Sequence, residues 1–382
     1  MKKIVIHSPE NCCGCTACAS SCKYGAISMC PDEYGFIYPK IDESKCIDCG
    51  LCSKMCQFKS DYKRFANYDE PFVYAARQIN LAEVSKSQTG GMAAMIYRHF
   101  FKDGDIAYGV KFDLNFNVIH ACARTTEEAQ SFRGSKYVQS DLKGIFPEVK
   151  QLLSLGQKVL FIGTPCQVSG LKAYLPVKLH TKLFTVDLIC HCNTAPGIWK
   201  SYVEYLQHRY KSKIVKADFR NKRFGWHKCL ETYEFENGKE LITRSYDYLF
   251  FDHLNSRPSC TNCPYTNFNR VSDITIGDYW GWEEHHSEFN DNLGLNLVLV
   301  NSEKGLSFFK ECMPFLDFVE TSIIDCLQPQ LVGPIKKNPK QIRFLEDYKN
   351  RGIGYVLYRY GDKNIIFRFK KFLYTLYRLI KK

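Results

Sequence analysis

Two identical cysteine runs near the start of the chain constrain its fold more than any other feature. Both have the spacing C-x2-C-x2-C-x3-C. The first run is Cys12, Cys15, Cys18 and Cys22, and the second is Cys46, Cys49, Cys52 and Cys56. Turns this tight bring three sulfurs around one centre and direct backbone amides at them. The spacing therefore predicts two metal sites rather than disulfides.

A cubic 4Fe–4S cluster needs four thiolates, and in paired runs of this kind the fourth cysteine of each run ligates the other cluster. The first predicted cluster is held by Cys12, Cys15, Cys18 and Cys56. The second is held by Cys46, Cys49, Cys52 and Cys22. A pair of structural zinc sites is the alternative, but zinc knuckles have no use for a third cysteine and an x3-spaced fourth.

Residues 1–62 resemble a bacterial dicluster ferredoxin, with one departure. The proline that usually follows the fourth cysteine is replaced by Lys23 and Gln57, which leaves ligation intact. Cys13 and Cys30 lie outside the pattern, and we interpret them as packed thiols.

Composition supports metal binding and places the charge at one end. The chain of 382 residues has 19 cysteines and no apolar stretch long enough to span a membrane. Its first residues are too short an apolar run for a secretory signal, so we predict a cytoplasmic protein. Thiols stay reduced there, which favours metal ligation over disulfides.

Residues 336–382 hold 14 basic and 3 acidic residues, a net charge of +11, so the rest of the chain contributes only +1 of the total +12.

The remainder of the chain alternates between predicted strands and helices. Strands are predicted over 73–79, 158–162 and 183–190, a hairpin over 106–123, and helices over 92–101, 165–175 and 196–210. This pattern predicts an α/β domain with a mixed sheet. No G-x-G-x-x-G or P-loop motif occurs, so NAD and ATP are not favoured. We predict domains at 1–62, 71–335 and 336–382, with a polar linker over 60–71.

Four later cysteines form a possible third site. Cys260 and Cys263 make a C-x2-C knuckle, Cys166 opens a predicted helix, and Cys190 ends a predicted strand. Strand ends on one sheet edge converge, so a third 4Fe–4S cluster is one interpretation. A zinc knuckle completed by His191 or Cys192 is another. A third is a pair of buried cysteines beside an unrelated knuckle.

Several ordered motifs make the chain recognisable. They are a TGG turn, GSKYVQSD, FIGTPCQVSGLKAYL, DLICH, FRNKRFGWH, RPSCTNCPY and SDITIGDYWG. Over residues 71–300 the chain resembles the beta-subunit family of coenzyme F-420 hydrogenases and dehydrogenases. The turn after DLICH departs from that family, which makes Cys192 a rival ligand to Cys190.

The resemblance implies an FAD site, favours the third cluster and implies an α+β or α/β architecture. That architecture is a ferredoxin-like domain, a mixed-sheet flavin domain and a basic C-terminal helix. Glycine-rich turns that match the family are the predicted FAD contacts, with Lys136 placed to pair with a phosphate. They are Thr89, Gly90, Gly91, Gly134, Ser135, Lys136, Tyr137, Gly163, Thr164 and Pro165.

Two function classes follow from these features. The first is a flavin- and iron–sulfur-dependent oxidoreductase that exchanges electrons with a partner protein or a small-molecule donor or acceptor. The second is a non-catalytic ferredoxin-type adaptor that docks to a separate enzyme. Residues 364–382 have a basic amphipathic helical period, which predicts either peripheral contact with the inner face of the membrane or docking on the protein's own core. Nucleic-acid binding is not predicted, because the charge is confined to one helix.

Overall fold

The N-terminal segment is small and built around its cysteine turns. A computed structural model of the chain describes residues 8–59, 67–102 and 104–361. The segment contains α1 (Ala17–Ser21), β1 (Ile27–Pro31), β2 (Ile37–Ile41) and α2 (Leu51–Lys54). Strands β1 and β2 form an antiparallel pair. Gly14, between two cysteines of the first run, has a φ of +68°, in the left-handed region that favours glycine.

A large mixed sheet forms the centre of the molecule. The elements that follow are β3 (Phe72–Gln78), α3 (Leu81–Ser85), α4 (Met92–Phe100), β4 (Ile106–Phe112), β5 (Val118–Ala123), α5 (Thr126–Ala129), α6 (Ile145–Ser154), β6 (Val159–Gly163), α7 (Pro165–Tyr174) and β7 (Leu183–Leu188). After them come α8 (Pro196–Tyr210), β8 (Ile214–Asp218), β9 (Glu231–Phe235), β10 (Glu240–Thr243), α9 (Ser245–Phe251), β11 (Ile274–Asp278), β12 (Asn296–Val300), α10 (Glu303–Cys312), β13 (Leu316–Glu320), α11 (Pro329–Val332) and α12 (Gln341–Tyr360).

The eight strands of this sheet run in the order β13-β3-β12-β11-β7-β6-β4-β5. Strands β11, β7, β6 and β4 are mutually parallel, and the pairs at both edges are antiparallel. Every residue of β6 and β12 is buried, as expected for apolar strands covered on both faces. Helices α4 and α10 pack on one face, and α6 and α7 pack on the other.

The predicted mixed sheet is therefore confirmed, and the predicted elements from residue 71 to residue 210 are present with small shifts at their ends. Strand β3 covers 72–78, the hairpin is β4 and β5, and α8 covers 196–210 as predicted. Of the predicted linker over 60–71, residues 60–66 lie outside the described part of the chain. The proposed domain limits stay predictions.

A second, aromatic core lies beside the large sheet. Strands β8, β9 and β10 form a separate antiparallel sheet, and α8 and α12 pack near it. Trp199, Tyr202 and Tyr246 are almost fully buried in this core, with Phe344 and Val356 of α12. The basic helix predicted over 364–382 lies outside the described residues. Within the described ranges, no helix combines the length and apolarity needed to cross a membrane.

The N-terminal segment packs closely against α7. Ala17 shares a core with Val168 and Leu171, and the backbone N–H of Gly197 donates a 3.0 Å hydrogen bond to the carbonyl of Tyr34. A Cβ atom added at Gly170 would lie 2.7 Å from both Cβ and Sγ of Cys15. The helix approaches the cysteine turn so closely that only a glycine fits there.

We expect Gly170→Ala to destabilise the protein, because overpacking of a tight contact costs about 1–3 kcal/mol. In an exposed helix the same change stabilises by about 1 kcal/mol, so the sign of the effect tests the contact. The measurement is the midpoint of thermal unfolding of anaerobically purified protein. Gly333→Ala is the control, because a Cβ there meets nothing within 4 Å and the backbone is extended. A midpoint for Gly170→Ala at or above that of the control would contradict the close packing.

Candidate functional site

The four cysteines predicted for the first cluster come together in the structure. We call Cys12, Cys15, Cys18 and Cys56 the first cysteine site. Burial raises the pKa of the Cys18 thiol, and the nearby thiols of Cys15, Cys12 and Cys56 add to the rise. Burial also raises the pKa of Cys56 to about 11, with Cys15 and Cys12 again among its neighbours. Mutual repulsion of this kind is expected where four thiols face one centre.

The surroundings of the first cysteine site fit a 4Fe–4S cluster. Its thiols line a cavity closed by apolar side chains, among them Ile27, Met29 and Phe58. Backbone N–H groups donate to the sulfurs: that of Gly14 to Cys12, Ala17 to Cys15 and Ala19 to Cys18. Four thiol donors with amide hydrogen bonds in an apolar shell are the features by which proteins hold and tune such a cluster.

The second predicted set lies nearer the surface. We call Cys22, Cys46, Cys49 and Cys52 the second cysteine site. Cys49 is exposed, Cys52 is buried, and the other two are half-buried. Burial raises the pKa of Cys52, and the neighbouring Cys49 adds to the rise. The Cys22 sulfur accepts a 3.3 Å hydrogen bond from the backbone N–H of Ala26. The set has the donors for a second cluster, and its edge faces solvent.

A third group of thiols meets at the carboxyl ends of two parallel strands. We call Cys166, Cys190, Cys260 and Cys263 the third cysteine site. Cys166 begins α7 directly after β6, and Cys190 follows β7, so neighbouring strands deliver both. Burial raises the pKa of Cys190 well above its usual value, and the thiols of Cys260, Cys166 and Cys263 contribute. The backbone N–H of Asn193 donates to the Cys260 sulfur at 3.3 Å.

The two rival ligands differ in their surroundings. Cys190 has three thiols of the third cysteine site as neighbours, whereas burial raises the pKa of Cys192 with Cys260 alone adding. Cys192 instead packs with Phe250 and Ile335.

In the part of the chain that the structure describes, no three His, Cys, Asp or Glu side chains are grouped so as to hold a metal ion. The fit to a cluster rests on the donor set and its neighbours.

The glycine-rich turns predicted to contact a cofactor line a single cavity of about 320 Å³. A volume of this size is within the range of small-molecule sites. Eight of the ten predicted residues line it: Thr89, Gly91, Gly134, Ser135, Lys136, Tyr137, Gly163 and Thr164. Gly90 and Pro165 stand beside the lining residues. Cys190 of the third cysteine site also lines the cavity, which therefore borders the thiols.

Three residues of this cavity were missed as site residues, although they occur in the sequence motifs. Arg220 belongs to FRNKRFGWH, and Asp278 and Trp280 belong to SDITIGDYWG. The Arg220 guanidinium is buried, pairs with Asp278 and lies over the Trp280 ring, 5.2 Å from its centroid. Lys222 of the same motif donates 2.7 Å hydrogen bonds to the carbonyls of Val84 and Thr89. The motifs thus build and support the cavity wall.

Lys136 supplies a titratable cation to the cavity. Burial lowers the pKa of its ammonium to about 7, and the charge of Asp218 partly offsets that effect. The ammonium donates to the carbonyl oxygens of Phe132 at 3.1 Å and Arg133 at 2.7 Å. An ammonium has three hydrogens. The Nζ atom also lies over the Phe112 ring, 5.9 Å from its centroid.

The two histidines considered from the sequence have different positions. His191 lines the cavity, where burial lowers its pKa to about 4. Its ring nitrogens lie 2.8 Å from Nε2 of His253 and 2.7 Å from Nε2 of Gln330. It is neutral at pH 7 and adds no charge to the site. His227 is half-exposed and pairs with Glu283 away from the cavity.

Comparison with known proteins gives two family matches. Residues 156–320 match the family described as the C terminus of the coenzyme F420 hydrogenase/dehydrogenase beta subunit. Residues 11–60 match the 4Fe-4S dicluster domain. The cavity motifs from FIGTPCQ to SDITIGDYWG lie within the first match, and the first and second cysteine sites lie within the second.

A curated relative and a solved structure are also similar. The coenzyme F420-dependent sulfite reductase of Methanocaldococcus jannaschii is 22% identical over 349 residues, which cover 88% of this chain and 51% of that protein. The chain thus spans about half the length of this relative. A chain from the F420-reducing [NiFe] hydrogenase complex of Methanosarcina barkeri is 19% identical, with a TM-score of 0.46, over 75% of this chain and 90% of that one.

The two family matches confirm the resemblance predicted from the sequence motifs. Dicluster domains hold two 4Fe–4S clusters and transfer electrons, and both N-terminal cysteine runs of this chain lie within that match. Over residues 11–60 the chain is similar to 4Fe-4S dicluster domains, and over residues 156–320 it is similar to the C terminus of the coenzyme F420 hydrogenase/dehydrogenase beta subunit.

Proposed function

We propose that the chain is an iron–sulfur flavoprotein oxidoreductase that holds FAD in the large cavity and 4Fe–4S clusters at the three cysteine sites. The observation that carries this proposal is that the predicted glycine turns and Cys190 line the same cavity. A flavin exchanges electrons in pairs or singly and a 4Fe–4S cluster exchanges one, so together they connect a two-electron donor or acceptor to one-electron partners.

The cavity offers binding groups for both ends of a dinucleotide. Its lining includes Ala93 and Ala94 in the first turn of α4, where backbone N–H groups favour a phosphate, while the Met92 N–H donates to Oδ1 of Asn296 at 3.2 Å. Lys136 adds a positive charge. The buried hydroxyl of Thr89 has no hydrogen-bond partner among the described residues, so it is available to a ligand. Trp280, 39% exposed, and Tyr137 offer ring faces for a flat ligand.

The residues of the chain also suggest how the cofactor is kept in place and separated from water. Tyr137 stacks on Phe250 with 4.2 Å between ring centroids, so the aromatic wall is already ordered. Arg220 is fixed by its pairing with Asp278, and Lys222 fixes the Thr89 turn. An ordered wall loses little conformational entropy when a ligand binds.

The partners are proposed by chemical class. The names of the relatives support a deazaflavin coenzyme as one two-electron donor, and a redox protein as the one-electron partner. The exposed edge of the second cysteine site is where such a protein would exchange electrons. Peripheral membrane contact through residues 364–382 and a cytoplasmic location stay predictions.

Cofactor content tests the proposal directly. We expect anaerobically purified protein to contain about 12 iron atoms and a matching amount of acid-labile sulfide per chain, because each of three clusters has four irons. We also expect one FAD and no zinc. About 8 iron atoms without flavin would contradict the third cluster and the flavin site, and would favour the ferredoxin-type adaptor.

A cysteine variant refines the assignment. We expect Cys56→Ala to lose the cluster of the first cysteine site. Cys56 is part of the second cysteine run, but it is the predicted fourth ligand of the cluster held by the first run. Iron content falls by about four atoms, and the second cluster keeps its electron paramagnetic resonance signal. Cys30→Ala, which removes a thiol outside every site, is the matched control with full iron content. Loss of the second cluster in Cys56→Ala would contradict the exchange of fourth ligands.

The pH dependence of flavin binding tests Lys136. Its ammonium is charged below about pH 7 in the free protein and becomes neutral above it. A bound phosphate favours the charged form and raises that pKa. FAD affinity should therefore weaken by about tenfold for each pH unit above 7, until the pH reaches the pKa of the complex.

The measurement is a fluorescence titration of flavin-free protein with FAD between pH 6 and 9. Lys136→Met should bind more weakly at pH 6 and show a flatter pH profile. Lys143→Met is the control, because that lysine is exposed and outside the cavity lining. An unchanged slope in Lys136→Met would contradict a phosphate contact.

A further inference from the structure

Three buried side chains lie between the first and third cysteine sites. They are Cys13, Gln57 and Arg257, and we call them the junction. None belongs to a predicted cluster ligand set: Cys13 is a cysteine outside the ligand pattern, and Gln57 stands where a ferredoxin usually has proline. Their contacts join the two sites side chain by side chain.

Cys13 lies between a thiol of each site. Its thiol is within hydrogen-bonding reach of Cys15 in the first cysteine site and of Cys166 in the third. Cys13 is buried, and its sulfur also accepts a 3.3 Å hydrogen bond from Nε2 of Gln57. The single S–H hydrogen of Cys13 can donate to either the Cys15 or the Cys166 sulfur, one at a time.

Gln57 connects the same two sites through its amide. Its Nε2 atom donates a 3.3 Å hydrogen bond to the Cys13 sulfur and a 2.7 Å hydrogen bond to the carbonyl of Cys166. Its Oε1 atom accepts a hydrogen bond from the Tyr265 hydroxyl, which fixes the orientation of the amide. A proline at this position would supply none of these contacts. The residue that departs from the ferredoxin pattern is therefore the one that reaches the other site.

Arg257 brings a full positive charge. Its side chain has no exposed surface, and it donates 2.7 Å hydrogen bonds to the Cys12 carbonyl and to Oε1 of Gln139. Its Nη2 atom lies 3.8 Å from the Cys12 sulfur and 2.9 Å from the Ile37 carbonyl.

Arg257 contacts both sites. Its Nη2 atom faces the Cys12 sulfur of the first site, and its own carbonyl accepts a 3.0 Å hydrogen bond from the backbone N–H of Cys260 in the third. A buried cation needs nearby negative charge, and the thiolates of the two sites are placed to provide it.

We propose that the junction raises the reduction potentials of the clusters at the first and third cysteine sites together, and leaves the cluster at the second site unaffected. The inference rests on the proposed function, because it requires clusters at the first and third sites. Reduction adds one electron to a cluster and makes it more negative. Hydrogen bonds to the sulfurs and a nearby positive charge stabilise that reduced form, so each junction residue acts in the same direction. These are positioning residues: Cys13 and Arg257 lie beside ligand sulfurs, and Gln57 reaches the Cys15 sulfur as well as Cys13.

The test is a potentiometric titration of the full-length holoprotein with dithionite, followed by electron paramagnetic resonance. We expect Arg257→Met to lower the midpoint potentials of the first and third clusters, with the larger shift at the first. Arg257→Lys keeps the charge and should recover most of that shift. The second cluster is the internal reference in each sample. Arg209→Met, an exposed arginine, is the matched control and should shift none.

Two variants with less disruptive substitutions keep the test decisive if Arg257→Met does not fold. Gln57→Leu and Cys13→Ala remove sulfur-directed donors, and each should lower the first and third potentials while iron content stays complete. Gln151→Leu and Cys30→Ala are their controls, since Gln151 is exposed and Cys30 lies outside the sites.

The possible failures are distinguishable. Loss of about four iron atoms in Cys13→Ala would identify Cys13 as a ligand and overturn the junction. If the variants keep their complete iron content and the potentials of all three clusters are unchanged or equally shifted, the junction proposal is overturned as well. The proposed function would then still stand. If the unaltered protein holds only two clusters and gives no signal from a third, both the junction proposal and the proposed function are overturned.

Discussion

The buried guanidinium of Arg257 is the contact on which the arrangement of sites depends. It comes from the segment that carries Cys260 and Cys263, and it hydrogen-bonds the backbone of both Cys12 and Ile37 in the N-terminal segment. Burying a charge is costly unless it is hydrogen-bonded and neutralised. The carbonyls provide the hydrogen bonds, and in the proposed function the cluster-bound thiolates of the neighbouring sites provide the negative charge. Metal loading and docking of the N-terminal segment are therefore expected to stabilise each other.

The close packing around this contact gives the sites a spatial sequence. The second cysteine site has the exposed Cys49, the first cysteine site packs on α7 through Cys15 and Gly170, and the third borders the large cavity through Cys190. In the proposed function this order extends from the surface to the flavin. The close approach at Gly170 brings α7, which carries Cys166 of the third site, against Cys15 of the first.

The large cavity illustrates why the function is a property of the whole fold. Its walls come from the Thr89 turn, the Gly134–Tyr137 stretch, the carboxyl ends of β6, β7 and β11, and the loop that carries Arg220. Parallel strands bring their carboxyl ends to one edge, and ligands of open α/β sheets bind at that edge. Arg220 and Asp278 are 58 residues apart in the chain, and their pairing closes the wall.

The sequence by itself determined the local features. Cysteine spacing identified the dicluster segment, because ligand geometry imposes it within a few residues. Apolar runs and the Gly-Gly turn placed the strands and helices of the sheet, and ordered motifs identified the family. The third set of cysteines and most of the cavity glycines are also predictable, although spacing alone leaves a zinc knuckle and Cys192 as alternatives.

Only the tertiary structure decided which side chains meet across long stretches of chain. From the sequence, Cys13 is a packed thiol and Gln57 a mere departure from the ferredoxin pattern. Their partners, Cys166 and Tyr265, lie more than a hundred residues away, and no local period encodes such contacts. Arg257 is part of a knuckle motif in the sequence, and its role follows from burial against the N-terminal segment. Contacts of this kind depend on how the sheet, α7 and the cysteine turns pack, which is a property of three-dimensional proximity and not of sequence spacing.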